Sequence, residues 1–292
     1  MRLATRGSEL ARWQAERIEA LLDVPCELVI VSTLGDRRRD VPIHTIGGTA
    51  AFAKEVQEAL LDGRADLAVH SAKDLPAATP ERLVLAAVPE RADSRDALVG
   101  ATLAGLATGA CVGTGSVRRR AQLGALRPDL TFGELRGNIP TRIERAEAFD
   151  AIVVAYAALL RLGLAHRATD ILDPSQLLPQ VGQGALAVEC RDDDARVRGL
   201  LVRIDDGDAR RTVEAERSFL AELGGGCNLP CGAHATVDSH GRLVLRVLLA
   251  SLDGRVLLRT EGRGDNAREL GVDVARRLLD DCGGRLLLAD VA

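Results

Sequence analysis

Aromatic residues are scarce in this chain: they make up 2% of its 292 residues, with one Trp, one Tyr and four Phe. Single-stranded nucleic acids are usually held on aromatic stacking platforms, so that scarcity argues against such a ligand. A positive balance is also missing. Lys and Arg total 38 against 42 Asp and Glu, a formal charge of −4, which argues against a nucleic-acid binder or a polybasic membrane protein driven by bulk charge. No apolar run approaches the ~20 residues of a membrane helix. Charges at Arg2, Arg6 and Glu9 stand where a signal peptide carries its apolar core. A cytoplasmic protein with no membrane partner and no nucleic-acid partner is expected. Lysine is nearly absent, with only Lys54 and Lys73, so arginine supplies almost all the positive charge. The cysteines Cys26, Cys111, Cys190, Cys227, Cys231 and Cys282 are scattered, a pattern of reduced thiols rather than a disulfide framework.

A hydrophobic content of 47% with 27% charged residues describes a globular chain long enough for two or three domains with real cores. Strand patterns at Arg2 to Thr5, Leu28 to Val31, Leu67 to Val69 and Leu83 to Val88 alternate with helical ones. In the first helix Leu10, Trp13, Ile18 and Leu21 are expected to share a face, with Ser8 as N-cap. The segment Thr33 to Ala51 reads as a long functional loop, followed by a helix over Phe52 to Asp62. A charged stretch, Pro89 to Asp96, reads as a crossover into a second α/β set with strands near Ala110 to Val112, ending at Arg136-Gly-Asn138, and at Ala151 to Val154. Such alternation predicts largely parallel sheets. Val181-Gly-Gln-Gly184 breaks the pattern, and Ala185 to Cys190 is expected to return to the first domain as a strand, so that two crossings make a hinge. After a helix over Ala209 to Leu223, the runs Ala233 to Val237, Leu243 to Ala250 and Val256 to Thr260 predict an antiparallel meander, and Asp265 is the expected cap of a last helix. The expected domains are 1–90 with 185–203, 94–184, and 207–292.

Several stretches carry chemistry. Gly113-Thr-Gly-Ser-Val-Arg118 begins like a dinucleotide fingerprint, but Arg118 fills the third glycine position and excludes the close helix packing that fingerprint needs. A glycine loop leading into a helix start remains, with Ser116 and Arg118, Arg119 and Arg120; orphan N–H groups and guanidinium forks together suit an anion. Arginine in a first turn opposes the helix dipole, so a purely structural role would favour acids there. Arg136 and Arg142 bracket a second such turn, and Arg6 with Ser8 forms a third. Their convergence would build a cavity for a ligand with several carboxylates or phosphates. The stretch Gly224-Gly-Gly-Cys227-Asn-Leu-Pro-Cys231-Gly-Ala-His234 sets a thiol in backbone stripped of side chains, open to close approach by a ligand or to a helix cap before a buried thiol. Zinc is a poor fit, since His234 and His240 follow Cys231 almost at once, and Cys-x3-Cys is not the redox spacing.

The blocks Arg2-Leu-Ala-Thr-Arg6-Gly-Ser8, His70-Ser-Ala-Lys-Asp74-Leu-Pro76, Gly113-Thr-Gly-Ser-Val-Arg-Arg119, Leu135-Arg-Gly-Asn138, Val181-Gly-Gln-Gly184 and Gly225-Gly-Cys227 occur in an order that closely resembles the porphobilinogen deaminase family over nearly the whole length. That resemblance implies two α/β domains like those of periplasmic binding proteins and a smaller α+β C-terminal domain. It implies head-to-tail condensation of four porphobilinogen units with loss of ammonia, on a dipyrromethane cofactor held by a thioether at Cys227. Asp74 matches the catalytic aspartate, which would stabilise the positive charge on the electron-poor pyrrole and assist proton removal. Lys73, Ser8, Thr114 and Ser116 match cofactor or substrate contacts, and Arg6, Arg118, Arg119, Arg136, Arg142 and Arg161 match carboxylate contacts. Thr49 stands where many members carry a loop lysine, so that contact does not transfer. No metal is implied, the chain is expected to act as a monomer, and its product would pass to the next enzyme of the tetrapyrrole pathway. A hinged anion-binding protein and a metal or redox protein using Cys231 are the other classes open to the residues alone.

Overall fold

The computed structural model describes residues 1–38, 51–224 and 229–289. In the first lobe, strands β1 (Arg2–Arg6), β2 (Glu27–Val31), β3 (Leu67–Ser71) and β4 (Leu83–Ala87) are joined by helices α1 (Glu9–Leu22), α2 (Leu34–Arg37) and α3 (Lys54–Leu61). The second lobe holds β5 (Asp96–Val99), β6 (Cys111–Gly113), β7 (Thr131–Gly133), β8 (Ala151–Ala155) and β9 (Asp170–Leu172), with α4 (Val117–Leu126), α5 (Ile139–Glu144) and α6 (Tyr156–Arg161). Strand β10 (Leu186–Arg191) returns to the first lobe and leads through α7 (Ala195–Leu201) to α8 (Gly207–Glu222). A third unit follows, with β11 (Cys231–Val237), β12 (Leu243–Ala250), β13 (Leu257–Gly264), α9 (Ala267–Arg276) and α10 (Gly284–Ala289).

The two lobes share one plan. Their sheets run β2-β1-β3-β10-β4 and β7-β6-β8-β5-β9, and in each the fourth strand is the one that follows a crossing between lobes. That strand is antiparallel to its neighbours: β10 to β3 and β4, and β5 to β8 and β9. The expectation of largely parallel sheets is corrected at these two strands, because a chain arriving from the hinge enters the sheet from the opposite end. Runs such as Ala-Ile-Val-Val-Ala in β8 are buried on both faces, as a sheet covered by helices on each side requires. The C-terminal ends of the parallel strands therefore all open toward the hinge side, where open α/β sheets bind ligands.

Local readings are refined in the same way. Ser8 caps α1, its Oγ accepting from the Ala11 N–H at 3.3 Å, but the buried face is Ala11, Gln14, Ala15, Ile18 and Leu22. Leu10, Trp13 and Leu21 are only half-buried. The strand before Arg136 ends at Gly133, and the last long helix is capped by Asn266 rather than Asp265. Of the stretch Thr33 to Ala51, residues 34–37 form α2, and Pro42, Gly47, Gly48 and Thr49 lie outside the described residues.

The meander β11-β12-β13 is antiparallel throughout. Phe219 of α8 and Leu270, Val274 and Leu278 fill the core between this sheet and its helices. The two crossings lie side by side at the hinge, where the Ala92 N–H donates to the Gly184 carbonyl at 3.1 Å. Gly184 has φ +88°, and a Cβ on it would sit 2.4 Å from the Ala92 carbonyl oxygen. Gly184→Ala is expected to destabilise the protein by about 1–3 kcal/mol through that contact and the left-handed backbone together. Gly241→Ala, with φ +77° and nothing within 4 Å, should cost less; equal shifts in the two unfolding midpoints would contradict the close approach.

Candidate active site

A cleft of about 660 Å³ opens between the lobes. From the first lobe, the end of β1 and the turn beyond it bring Arg6 and Ser8, and the end of β3 with the turn beyond it brings His70, Ser71, Lys73 and Asp74. From the second, the turns after β6 and β7 bring Ser116, Arg119, Arg136 and Arg142. Eight sequence-predicted residues, Arg6, Ser8, Lys73, Asp74, Ser116, Arg119, Arg136 and Arg142, thus line one cavity although they are spread over more than 130 positions of chain. The folding logic is local. Ser116 caps α4 and Asn138 caps α5, each side chain accepting from the N–H three residues on, so both loops end at helix starts whose N–H groups and positive dipole ends favour anions.

The arginines divide by partner. Arg118 and Arg119 are buried, and both donate to Asp96, which is 0% exposed: Arg118 Nη2 reaches Oδ2 at 2.7 Å and Arg119 Nη2 reaches Oδ1 at 2.6 Å. Arg118 also donates to the Leu178 carbonyl and Arg119 to that of Val153. Arg118 does not line the cleft; its anion is internal. The guanidiniums beside Asp96 hold that carboxyl far below the usual range, against the opposing effect of burial. Arg6 stacks over Phe52, 4.3 Å from the ring centroid, and pairs with Asp36, so one fork at the cleft wall is already largely neutralised. Thr114 is buried behind its loop, its Oγ1 accepting from the Ser116 N–H. Arg161 lies outside the cleft lining, over the Trp13 ring. Cys227 lies outside the described residues. Cys231, His234 and His240 go separate ways: Cys231 is buried at the start of β11, His234 faces Ser94, and His240 sits in an exposed turn.

Cations crowd the second-lobe wall. Burial, then the neighbouring Arg119 and Arg136, push Arg142 down to about 10; its Nε donates to the Gly137 carbonyl at 2.8 Å. Burial also pushes Lys73 down to about 8, with Arg119 and Arg142 adding to the fall and Asp74 opposing it. A wall that keeps several cations together at such a cost in charge repulsion is prepared for an anionic ligand. Asp74 faces that wall from a short turn fixed on three sides. The Ala72 N–H donates to Ala185, the Gln180 amide donates to the Lys73 carbonyl at 3.2 Å, and Gly182 packs so closely that a Cβ would sit 3.0 Å from the Lys73 nitrogen.

Sequence reasoning missed the groups that hold this arrangement. Glu216 of α8, 0% exposed, accepts from Arg91, Gly182 and Ala235, so one carboxylate ties both crossings to the third unit. It stands on the buried stripe Ala209, Thr212, Val213, Glu216 and Phe219, and an acid on that stripe is the signal that would have found it. Asp96 ends the charged stretch that reads as a domain crossover, and nothing in that reading marks it as a buried counter-ion. His70 faces Glu189 at 3.2 Å, and Gln57 donates to the same carboxylate at 2.9 Å; nothing in the spacing of these three residues foretells the contact.

Two α/β lobes around a cleft rich in arginine, with an acid opposite, define a two-lobed protein whose cleft suits a ligand with several anionic groups. The chain belongs to the porphobilinogen deaminase family. The profile described as "Porphobilinogen deaminase, dipyromethane cofactor binding domain" matches residues 1–199, and "Porphobilinogen deaminase, C-terminal domain" matches residues 210–280. A porphobilinogen deaminase of Nitratidesulfovibrio vulgaris (strain Hildenborough) is 48% identical over 98% of this chain and 95% of its own length. Another, from Syntrophobacter fumaroxidans, is 45% identical over 100% of this chain and 97% of its own. Among solved structures, an ancestral cationic amino acid solute binding protein aligns with a TM-score of 0.41 and 14% identity over 69% of this chain and 86% of that one.

Among the described residues no helix is long and apolar enough to cross a membrane. Asp96→Asn leaves two buried guanidiniums without their charge partner and is expected to cost about 3–5 kcal/mol. A urea unfolding midpoint within error of the parent would show that Asp96 is not the internal anion of this wall.

Proposed function

We propose that this chain condenses four molecules of porphobilinogen head to tail, with loss of ammonia at each step, to give hydroxymethylbilane. One observation carries the reading: Arg119, Arg136, Arg142 and Lys73 share a cleft with Asp74, in a chain of the porphobilinogen deaminase family. The substrate carries acetate and propionate groups, so a growing chain gains two negative charges with each ring. Guanidinium forks suit those carboxylates through paired hydrogen bonds. Ser8 and Ser116, at helix starts, add hydroxyl donors beside them. Arg118, Thr114 and Arg161 act behind the wall, Arg118 by joining Arg119 on Asp96 and Thr114 by shaping the loop that presents Ser116.

Asp74 is the proposed catalytic residue. A carboxylate at that turn lowers the energy of the positive charge that develops on a pyrrole ring as ammonia leaves. It also accepts the proton released when the ring regains aromaticity, which requires hydrogen-bond reach. The crowded cations around Arg142 fit a dipyrromethane with its carboxylates. When bound, that group supplies the nucleophilic pyrrole carbon to which the first substrate is joined. Cys227 is its proposed attachment point, and Arg119, Arg136, Arg142 and Lys73 are its proposed carboxylate contacts. The three sheets support domains of 1–90 with 185–203, 94–184 and 207–292. Free thiols at Cys26, Cys111, Cys190 and Cys282 suit the reducing cytoplasm. A cleft built wholly from one chain suits a monomer that hands its product to the next enzyme of the pathway.

Turnover tests the reading directly. Parent protein should release four ammonia per hydroxymethylbilane, and Asp74→Asn should fall by ~100-fold or more while folding normally; near-parent turnover in that variant removes Asp74 from its role. Lys73 adds a pH dependence. Its ammonium is charged below about 8 and neutral above, so KM for porphobilinogen should rise as pH passes 8, and Lys73→Arg should flatten the rise. An unchanged profile in that variant would place the carboxylate grip elsewhere.

A further inference from the structure

The cation wall carries an acid that the reaction scheme above does not use. Glu134 lines the cleft together with Arg119, Arg136 and Arg142. The chain is fixed on both sides of it: the Thr114 N–H donates to the Gly133 carbonyl at 2.9 Å, and Leu135 is buried. The Glu134 carboxylate lies against Gly115, two residues before α4, where a Cβ on the glycine would sit 2.7 Å from Oε1. Gly115 is not in the left-handed region, so its backbone does not require a glycine. Room for this carboxylate does, together with the Leu135 carbonyl, 3.2 Å from the same Cβ position. The other acids of the lining are accounted for. Asp36 pairs with Arg6, Glu9 stands in the first turn of α1, and Asp74 faces the wall. α4 has no acid in its own first turn, and Glu134 supplies one from the neighbouring loop. Its ionic partner among the described residues is Arg120, 3.5 Å away with both side chains partly exposed, a loose pairing. Glu134 also joins Asp74 in opposing the fall that burial and the neighbouring arginines impose on the Arg142 pKa. A resident carboxylate thus stands at one of the helix starts that suit a ligand anion.

We propose that Glu134 is a specificity-determining residue: it guards the start of α4 against plain polyanions and so reserves the cleft for a substrate that brings an amine along with its carboxylates. A wall of crowded cations does not by itself tell porphobilinogen from inorganic phosphate, which is small, carries up to two charges near neutral pH and suits guanidinium forks and helix N-termini alike. The two ligands differ in their positive charge. The amine that leaves porphobilinogen as ammonia arrives as a cation, so a fixed acid in the wall repels this substrate less than it repels phosphate. Discrimination of that kind comes from a repulsive element set against the wrong ligand. Because the carboxylate is half-exposed, its charge reaches the cleft through water and is screened by salt.

This inference rests on the reading of the cleft given above, and the test separates the two. Calorimetric titration of the holoenzyme with inorganic phosphate at low ionic strength should show Glu134→Gln binding about threefold to tenfold more tightly than the parent, with the gap closing as salt is raised. Glu134→Asp, which keeps the charge, should stay nearer the parent. Arg120→Gln removes the loose partner and leaves the acid, so it should bind phosphate no more tightly than the parent. In turnover, the Ki of phosphate should fall in Glu134→Gln by the same factor, while KM for porphobilinogen changes by less than about twofold. Unchanged phosphate affinity in Glu134→Gln, or a gap that salt does not narrow, overturns the proposal. Equal tightening of phosphate and porphobilinogen makes the acid a general damper on the wall and overturns selection as well. An Arg120→Gln variant that matches Glu134→Gln assigns the effect to the ion pair, with the same consequence. A parent protein that makes no product sinks the functional reading, while the phosphate titrations still decide whether Glu134 guards the start of α4.

Discussion

A single buried carboxylate, that of Asp96, decides which arginines belong to the fold and which face the ligand. It sits at the first residue of β5, where the chain enters the second lobe, and takes Arg118 and Arg119 from α4 together with the Gln183 amide from the return crossing at 2.9 Å. Arginines in the first turn of a helix oppose its dipole, and the cost is offset because their counter-ion lies inside the protein. Breaking such a buried set from one side leaves uncompensated charge. The cleft wall, the start of α4 and the hinge therefore stand or fall together.

Glu216 performs the corresponding task on the other side of the hinge, joining Arg91 of the first crossing, Gly182 of the second and the β11 backbone of the third unit. From the same helix, Arg217 donates to the Ala77 carbonyl in the loop beyond Asp74. α8 thereby fixes the aspartate loop, the hinge and the strand following the glycine stretch in one frame. The Ala72–Asp74 turn is held by the return crossing, through the Gln180 side-chain amide, the close approach of Gly182 and the Ala185 carbonyl. What remains charged and crowded in the cleft, Arg142 and Lys73 above all, is held at the expense of local repulsion, and a polycarboxylate relieves it.

Much of this was legible in the sequence because periodicity and turn chemistry report local structure. The strand and helix alternation, the return of residues 185–190, and Ser8, Ser116 and the Arg136 to Arg142 turn as cleft features all follow from spacing. The antiparallel entry of β5 and β10 was not legible, since the direction of a strand in a sheet is a property of the whole chain path. Nor was the division among arginines. Arg118 and Arg119 look alike in the chain, yet Arg118 is withdrawn onto Asp96 and off the cleft, whereas Arg119 bonds Asp96 and still lines the cleft beside Arg136 and Arg142. Trp13 read as core for its own sheet, whereas it faces a guanidinium contributed by a residue 148 positions on in the other lobe. The Cys227 stretch, which the sequence marks plainly, lies outside the described residues.

The central claim is that this cleft works on a polycarboxylate chain anchored covalently at Cys227. Intact mass of the purified protein under denaturing conditions tests it most directly. The account predicts an adduct the size of two pyrrole rings on the parent, absent in Cys227→Ser and retained in Cys231→Ser. An unmodified mass in a fully active preparation would contradict it.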